Sequence, residues 1–132
     1  MRILFDHCVP KPFRRELPGH EIKTAYQMGW SDLDNGELLS QAAKEFQVFL
    51  MVDQNLHYQQ NLRQLPIPVV MLISEDNDPD TLKAYAPAVL VALSRIRAGD
   101  LLQIHGDGHI QKMTQDDLKP KTKSQTKRRK SK

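Results

Sequence analysis

The stretch Val48-Phe49-Leu50-Met51-Val52-Asp53 sets five apolar residues in a row and closes them with an acid. An apolar run of this length reads as a strand. Just upstream, Leu38, Leu39, Ala42, Ala43 and Phe46 recur at the helical period. Asp34, with Glu37 three residues on, has the spacing of a capping box at the start of that helix. Further upstream the chain opens on Met1-Arg2-Ile3-Leu4-Phe5-Asp6, a second apolar run closed by an acid. Downstream, Ile67-Pro68-Val69-Val70-Met71-Leu72-Ile73 is apolar on both faces, as a central strand is, with Pro68 near its start. Strand-length runs that alternate with helical stretches predict an α/β fold with a parallel sheet rather than a stack of hairpins.

The remaining segments fit that frame. Pro12-Phe13-Arg14-Arg15-Glu16-Leu17 predicts a short helix, stopped by Pro18-Gly19. Glu21 to Tyr26 alternates polar and apolar like a half-exposed strand, and Met28-Gly29-Trp30-Ser31 reads as a loop. Asn55 to Leu65 predicts a short polar helix with Leu56, Leu62 and Leu65 inward. Asp78 and Pro79 open the longest helix, expected to reach about Ala98. Pro87 inside it demands a kink or two abutting helices. Leu101–His105 and His109–Met113 flank Gly106-Asp107-Gly108, a tight-turn sequence, so a C-terminal hairpin is expected as an appendage to a parallel sheet of about four strands. Helices on both faces complete a three-layer domain over residues 1–118.

Charge divides the chain in two. The net of +3 combines a basic tail with an acidic body. From Lys119 onward there are eight Lys and Arg residues and no acid; the other 11 basic residues face 16 acids, a net of −5. Residues 119–132 hold no apolar side chain and are expected to be disordered, with Lys127, Arg128, Arg129 and Lys130 available to phosphates along with Arg14 and Arg15. Cys8 is the only cysteine, which excludes an internal disulfide and fits a reducing cytoplasm. No secretory pattern is read at the N-terminus, and no apolar stretch reaches the roughly 20 residues that a membrane helix needs.

Acids at the carboxyl ends of parallel strands face the crevice where such sheets bind ligands. Asp6 and Asp53 end apolar runs and Glu37 opens the helix between them; these three are the candidates, with Asp76 as a fourth acid and Asn77 as a neutral ligand. Hard divalent ions take oxygen ligands and keep several waters, so a few carboxylates from separate elements can hold Mg²⁺ or Mn²⁺. A metal-bound water is the nucleophile that phosphodiester hydrolysis requires. Each acid has a plainer role too: Glu37 as half of the capping box, Asp53 as a turn residue, Asp76 and Asp78 as acids ahead of a helix. The five histidines show no zinc spacing, although His105 and His109 can pair across the hairpin, and His7 and His57 each follow a strand-end acid. Cys8 reads as a small buried thiol rather than a nucleophile. Trp30, Tyr26 and Tyr58 can stack bases or cover the sheet edge.

Three motifs in this order resemble the small PIN-like domain family, relatives of the metal-dependent PIN ribonucleases. They are Ile3-Leu4-Phe5-Asp6-His7-Cys8-Val9-Pro10, Asp34-Asn35-Gly36-Glu37-Leu38-Leu39 and Val52-Asp53-Gln54-Asn55-Leu56, and the resemblance covers roughly residues 1–75. It implies a PIN-like architecture and a Mg²⁺- or Mn²⁺-dependent endoribonuclease with Asp6, Glu37 and Asp53 as its catalytic, metal-holding acids. It further implies single-stranded RNA as substrate and the toxin role of a bacterial toxin–antitoxin pair, with an antitoxin protein as partner. Oligomeric state is left open, a homodimer included. Where the family motifs carry further acids this chain has His7, Asn35 and Asn55, which favours a rival reading: a module that binds nucleic acid or protein without cutting. A receiver-like or purely structural α/β domain is a second rival, the receiver disfavoured because no Lys stands directly after the strand that ends at Ile73.

Overall fold

All six residues of the Val48–Asp53 strand are buried, so both of its faces must be covered by other layers. The computed structural model describes residues 1–53 and 65–113. In chain order it comprises β1 (Arg2–Phe5), a 3-10 helix (Lys11–Glu16), β2 (Glu21–Thr24), α1 (Asn35–Glu45), β3 (Val48–Asp53) and β4 (Val69–Ile73). Then follow α2 (Pro79–Lys83), α3 (Ala86–Arg95), β5 (Leu101–Ile104) and β6 (Ile110–Lys112). The strands form one sheet of six in the order β2-β1-β3-β4-β5-β6. All pairings are parallel except β5 with β6.

Alternation along the strands sends side chains to two cores. Ile3, Phe5, Val48, Leu50, Val52, Val70 and Leu72 face the layer built from Phe13 of the 3-10 helix, Leu82 of α2 and Val89, Ala92 and Leu93 of α3. Leu4, Phe49, Met51, Val69 and Met71 face Leu38, Leu39, Ala42 and Phe46 of α1. Each fully buried Leu, Ile or Phe contributes about 1.5–3 kcal/mol, so the two faces drive the fold together. The three layers expected from the sequence are therefore present. Among the described residues no helix is long and apolar enough to cross a membrane.

Local signals explain the helix boundaries. Asp34 caps α1: its Oδ1 accepts from the Glu37 N–H at 2.8 Å, and Glu37 Oε1 accepts from the Asp34 N–H at 3.2 Å. Asp78 caps α2, and Pro79 stands in its first turn. Pro87 falls in the first turn of α3, so the long helix expected from Asp78 to Ala98 is two abutting helices, the second ending at Arg95. The hairpin differs from expectation. β5 pairs parallel with β4, and β6 adds to its outer side, so the hairpin widens the main sheet rather than hanging from it. The sheet has six strands for that reason. The helix expected over residues 55–65 and the tail from Lys119 lie outside the described residues, apart from Leu65 itself.

Candidate metal and nucleic-acid site

Strand order makes the site. From β1 the chain steps to β2 on one side and then to β3 on the other, so the order reverses between β1 and β3. In open α/β sheets the crevice at that reversal, outside the carboxyl ends of the strands, is where ligands bind. Asp6 directly follows β1, and Asp53 is the last residue of β3.

The ladder fixes both acids. The Asp6 N–H donates to the Leu50 carbonyl at 2.9 Å, which carries the β1–β3 pairing one residue past Phe5. Asp53 stands in register with Ile73, and its carbonyl accepts from the Ser74 N–H at 3.3 Å. Residues alternate across a strand, so Asp6 shares a face with Leu4, and Asp53 with Phe49 and Met51. Two acids from neighbouring parallel strands thus lie on one edge and on the α1 side. Both are buried, Asp6 at 6% and Asp53 at 8% exposure.

Asp6 is costly to the fold. Its Oδ1 is buried with no hydrogen-bond partner among the described residues. Burial pushes the Asp6 carboxyl above its ordinary pKa, opposed by the backbone amides of His7 and Cys8 and by the charge of His7. An unsatisfied buried acceptor costs about 1–3 kcal/mol, more for a charged group. The same carboxylate acts on Cys8: burial first, then the Asp6 charge, raises the thiol pKa, which leaves it protonated and unsuited to nucleophilic attack.

The other predicted acids are occupied differently. Glu37 is exposed at the start of α1, and its carboxylate turns back to the Asp34 amide. Asp76 is exposed in the loop after β4, where its Oδ1 accepts from the Asp78 N–H at 2.9 Å. Ser74, beneath it, is buried and donates its hydroxyl to the Asp76 carbonyl at 2.7 Å. Asn77 does reach the site's edge, donating its side-chain amide to the Cys8 carbonyl at 2.9 Å and tying the β4–α2 loop to the β1 loop. Among the described residues no group of three or more His, Cys, Asp or Glu side chains is placed to hold a metal ion. Asp6 and Asp53 come together on one edge; Glu37 and Asp76 do not complete a set with them.

A pocket of about 570 Å³ opens beside Asp6, between the loop after β1 and the turn after β2. Its walls include Asp6, His7, Lys11, Thr24, Tyr26 and Gln27. Nothing in the sequence marks this pocket, because its walls meet only once β2 docks parallel to β1. Arg14 and Arg15 are exposed in the last turn of the 3-10 helix and do not line it. Trp30 is half-buried with its ring edge-on to Phe46, at 6.2 Å and 82°, and so covers the sheet edge. Tyr26 is 81% exposed and covers nothing. His105 and His109 do pair across the hairpin turn, ring centres 5.6 Å apart. Asn55, His57, Tyr58, Lys127, Arg128, Arg129 and Lys130 lie outside the described residues.

No family model matches the chain, and neither a curated protein nor a solved structure matches it.

Proposed function

We propose that this protein is a divalent-metal-dependent ribonuclease of PIN-like type, acting on single-stranded RNA at the carboxyl edge of β1 and β3. The observation that carries this reading is the pair of buried aspartates at the strand-order reversal, one of which, Asp6, has a carboxylate oxygen with no hydrogen-bond partner among the described residues. Such an oxygen fits a hard cation: Mg²⁺ or Mn²⁺ takes oxygen ligands and retains several waters, so two acids suffice for one ion. Asp6 and Asp53 would hold it, and Asn77 stands close by. When bound, the ion supplies a water of lowered pKa and positive charge for the phosphoryl oxygens. The chain's own contribution is to fix the two acids by the ladder and to keep them from bulk water. In this reading the partners are RNA and, by the resemblance, an antitoxin protein.

The commitment of Glu37 to the capping box favours a second reading, a PIN-like module that binds nucleic acid or protein without cutting it. Cleavage of labelled single-stranded RNA in Mn²⁺ and in EDTA separates the two. The nuclease reading expects cleavage only with metal, reduced to background by Asp53→Asn while the protein stays folded. Cleavage that persists undiminished in EDTA sinks the metal mechanism; no cleavage with any RNA leaves the binding module.

A further inference from the structure

Among the described residues Tyr26 is a large ring left 81% in water, against 40% for the other exposed large apolar side chains, Met1 and Val91. It is not loosely displayed. The Gln27 N–H donates to Thr24 Oγ1 at 3.0 Å, and the Thr24 N–H donates to Gln27 Oε1 at 2.9 Å, locking the turn that carries it. The Gly29 N–H then donates to the Tyr26 carbonyl at 3.0 Å, with Gly29 at φ 77°, a conformation that side chains disfavour. A rigid turn therefore presents an aromatic face that does no packing for the protein.

That face borders the pocket of about 570 Å³ beside Asp6, within the size range of sites for small ligands. Lys11, exposed on the opposite wall, supplies a positive charge. Asp6, buried and with an acceptor oxygen that has no partner among the described residues, belongs to the same lining. An aromatic plane, a cation and a carboxylate around one cavity match the base, phosphate and hydroxyl groups of a nucleotide. We infer that the pocket is a subsite for one unpaired nucleotide of a single strand, its base stacked on Tyr26 and its phosphate on Lys11. The inference rests on the nuclease reading for the choice of nucleic acid, and adds that an unstacked base is what the site recognises.

Fluorescence anisotropy of the full chain with a labelled single-stranded oligonucleotide in EDTA tests it, because no metal or cleavage is then involved. Base–aromatic stacking predicts that Tyr26→Ala weakens binding about 5- to 140-fold. Tyr26→Phe, which keeps the ring, should bind within about twofold of wild type. Lys11→Ala should lower the magnitude of the log–log salt slope by about 0.7. Equal affinity of Tyr26→Ala and wild type overturns the inference, as does a Tyr26→Phe protein as weak as Tyr26→Ala, or no binding by wild type. A parallel assay in Mn²⁺ keeps the two readings apart. Cleavage lost in Asp53→Asn but with an unchanged KM in Tyr26→Ala removes the subsite and keeps the nuclease. Tyr26-dependent binding without cleavage does the reverse.

Discussion

Asp6 and Asp100 lie at opposite edges of one sheet and are equally hidden, 6% and 8% exposed, yet their surroundings differ. Asp100, just ahead of β5, has both oxygens engaged: Oδ2 accepts from the Arg97 N–H at 2.9 Å, and Oδ1 meets Lys112 Nζ at 3.2 Å. Asp6, just past β1, has an oxygen, Oδ1, with no hydrogen-bond partner among the described residues. A buried acid that the fold satisfies is part of the fold's architecture. One that the fold hides and leaves partly unsatisfied costs stability.

Substitutions can break or sharpen that contrast. Asp100→Ala should have the largest effect on stability, a loss of about 2 kcal/mol, because it strands the Arg97 amide that now donates to a charged acceptor. Urea denaturation measures it, and a loss no greater than that of a surface substitution would erase the distinction. Asp6→Asn should move stability the other way at neutral pH. Burial raises the folded pKa of Asp6, so its contribution is fully present below the unfolded pKa and is lost as pH rises through the folded one. The asparagine variant should therefore melt higher than wild type at pH 7 in EDTA and show a flatter stability–pH curve through the acid range. A variant that melts lower at every pH would mean that Asp6 is satisfied by the fold after all.

Glu37→Gln should change stability by less than about 0.5 kcal/mol, since Gln also completes a capping box. It therefore separates the two roles of that residue cleanly: full Mn²⁺-dependent activity in the variant assigns Glu37 to the cap alone. Lys112→Met should have the smallest effect, under about 0.5 kcal/mol. Its side chain is 66% exposed and the ion pair with Asp100 is correspondingly screened.

Much of this was legible in the residues. Val48–Asp53 and Val69–Ile73 announced themselves because strands covered on both faces have little choice but to be apolar throughout. Asp34, Glu37, Asp78 and Pro79 marked helix starts because capping is a local matter. The placement of Leu101–Ile104 was not legible, since its parallel partner β4 lies some 30 residues upstream and no local rule selects it. The site divides along the same line. Acids at strand ends showed in the sequence, whereas Glu37 satisfied a capping box and a metal set equally well on paper. The pocket beside Asp6 was hidden, being assembled from residues 6–11 and 24–31 by a strand pairing. So was the difference between Asp6 and Asp100, which rests on which backbone amides and side chains happen to arrive nearby.

The order β2-β1-β3-β4-β5-β6 also bears on how the chain is made. Once β1, β2 and β3 have associated, each later strand joins the edge left by the one before it, so the sheet lengthens in the direction of synthesis. An emerging chain need never reopen a finished pairing to admit a strand that arrives late. Its one out-of-order step is the docking of β3 on the side of β1 away from β2, which pairs Ile3 with Val48, 45 positions along the chain. In nascent chains the Asp6 amide, which donates to the Leu50 carbonyl, should therefore gain protection only in lengths that have let β3 emerge from the ribosome.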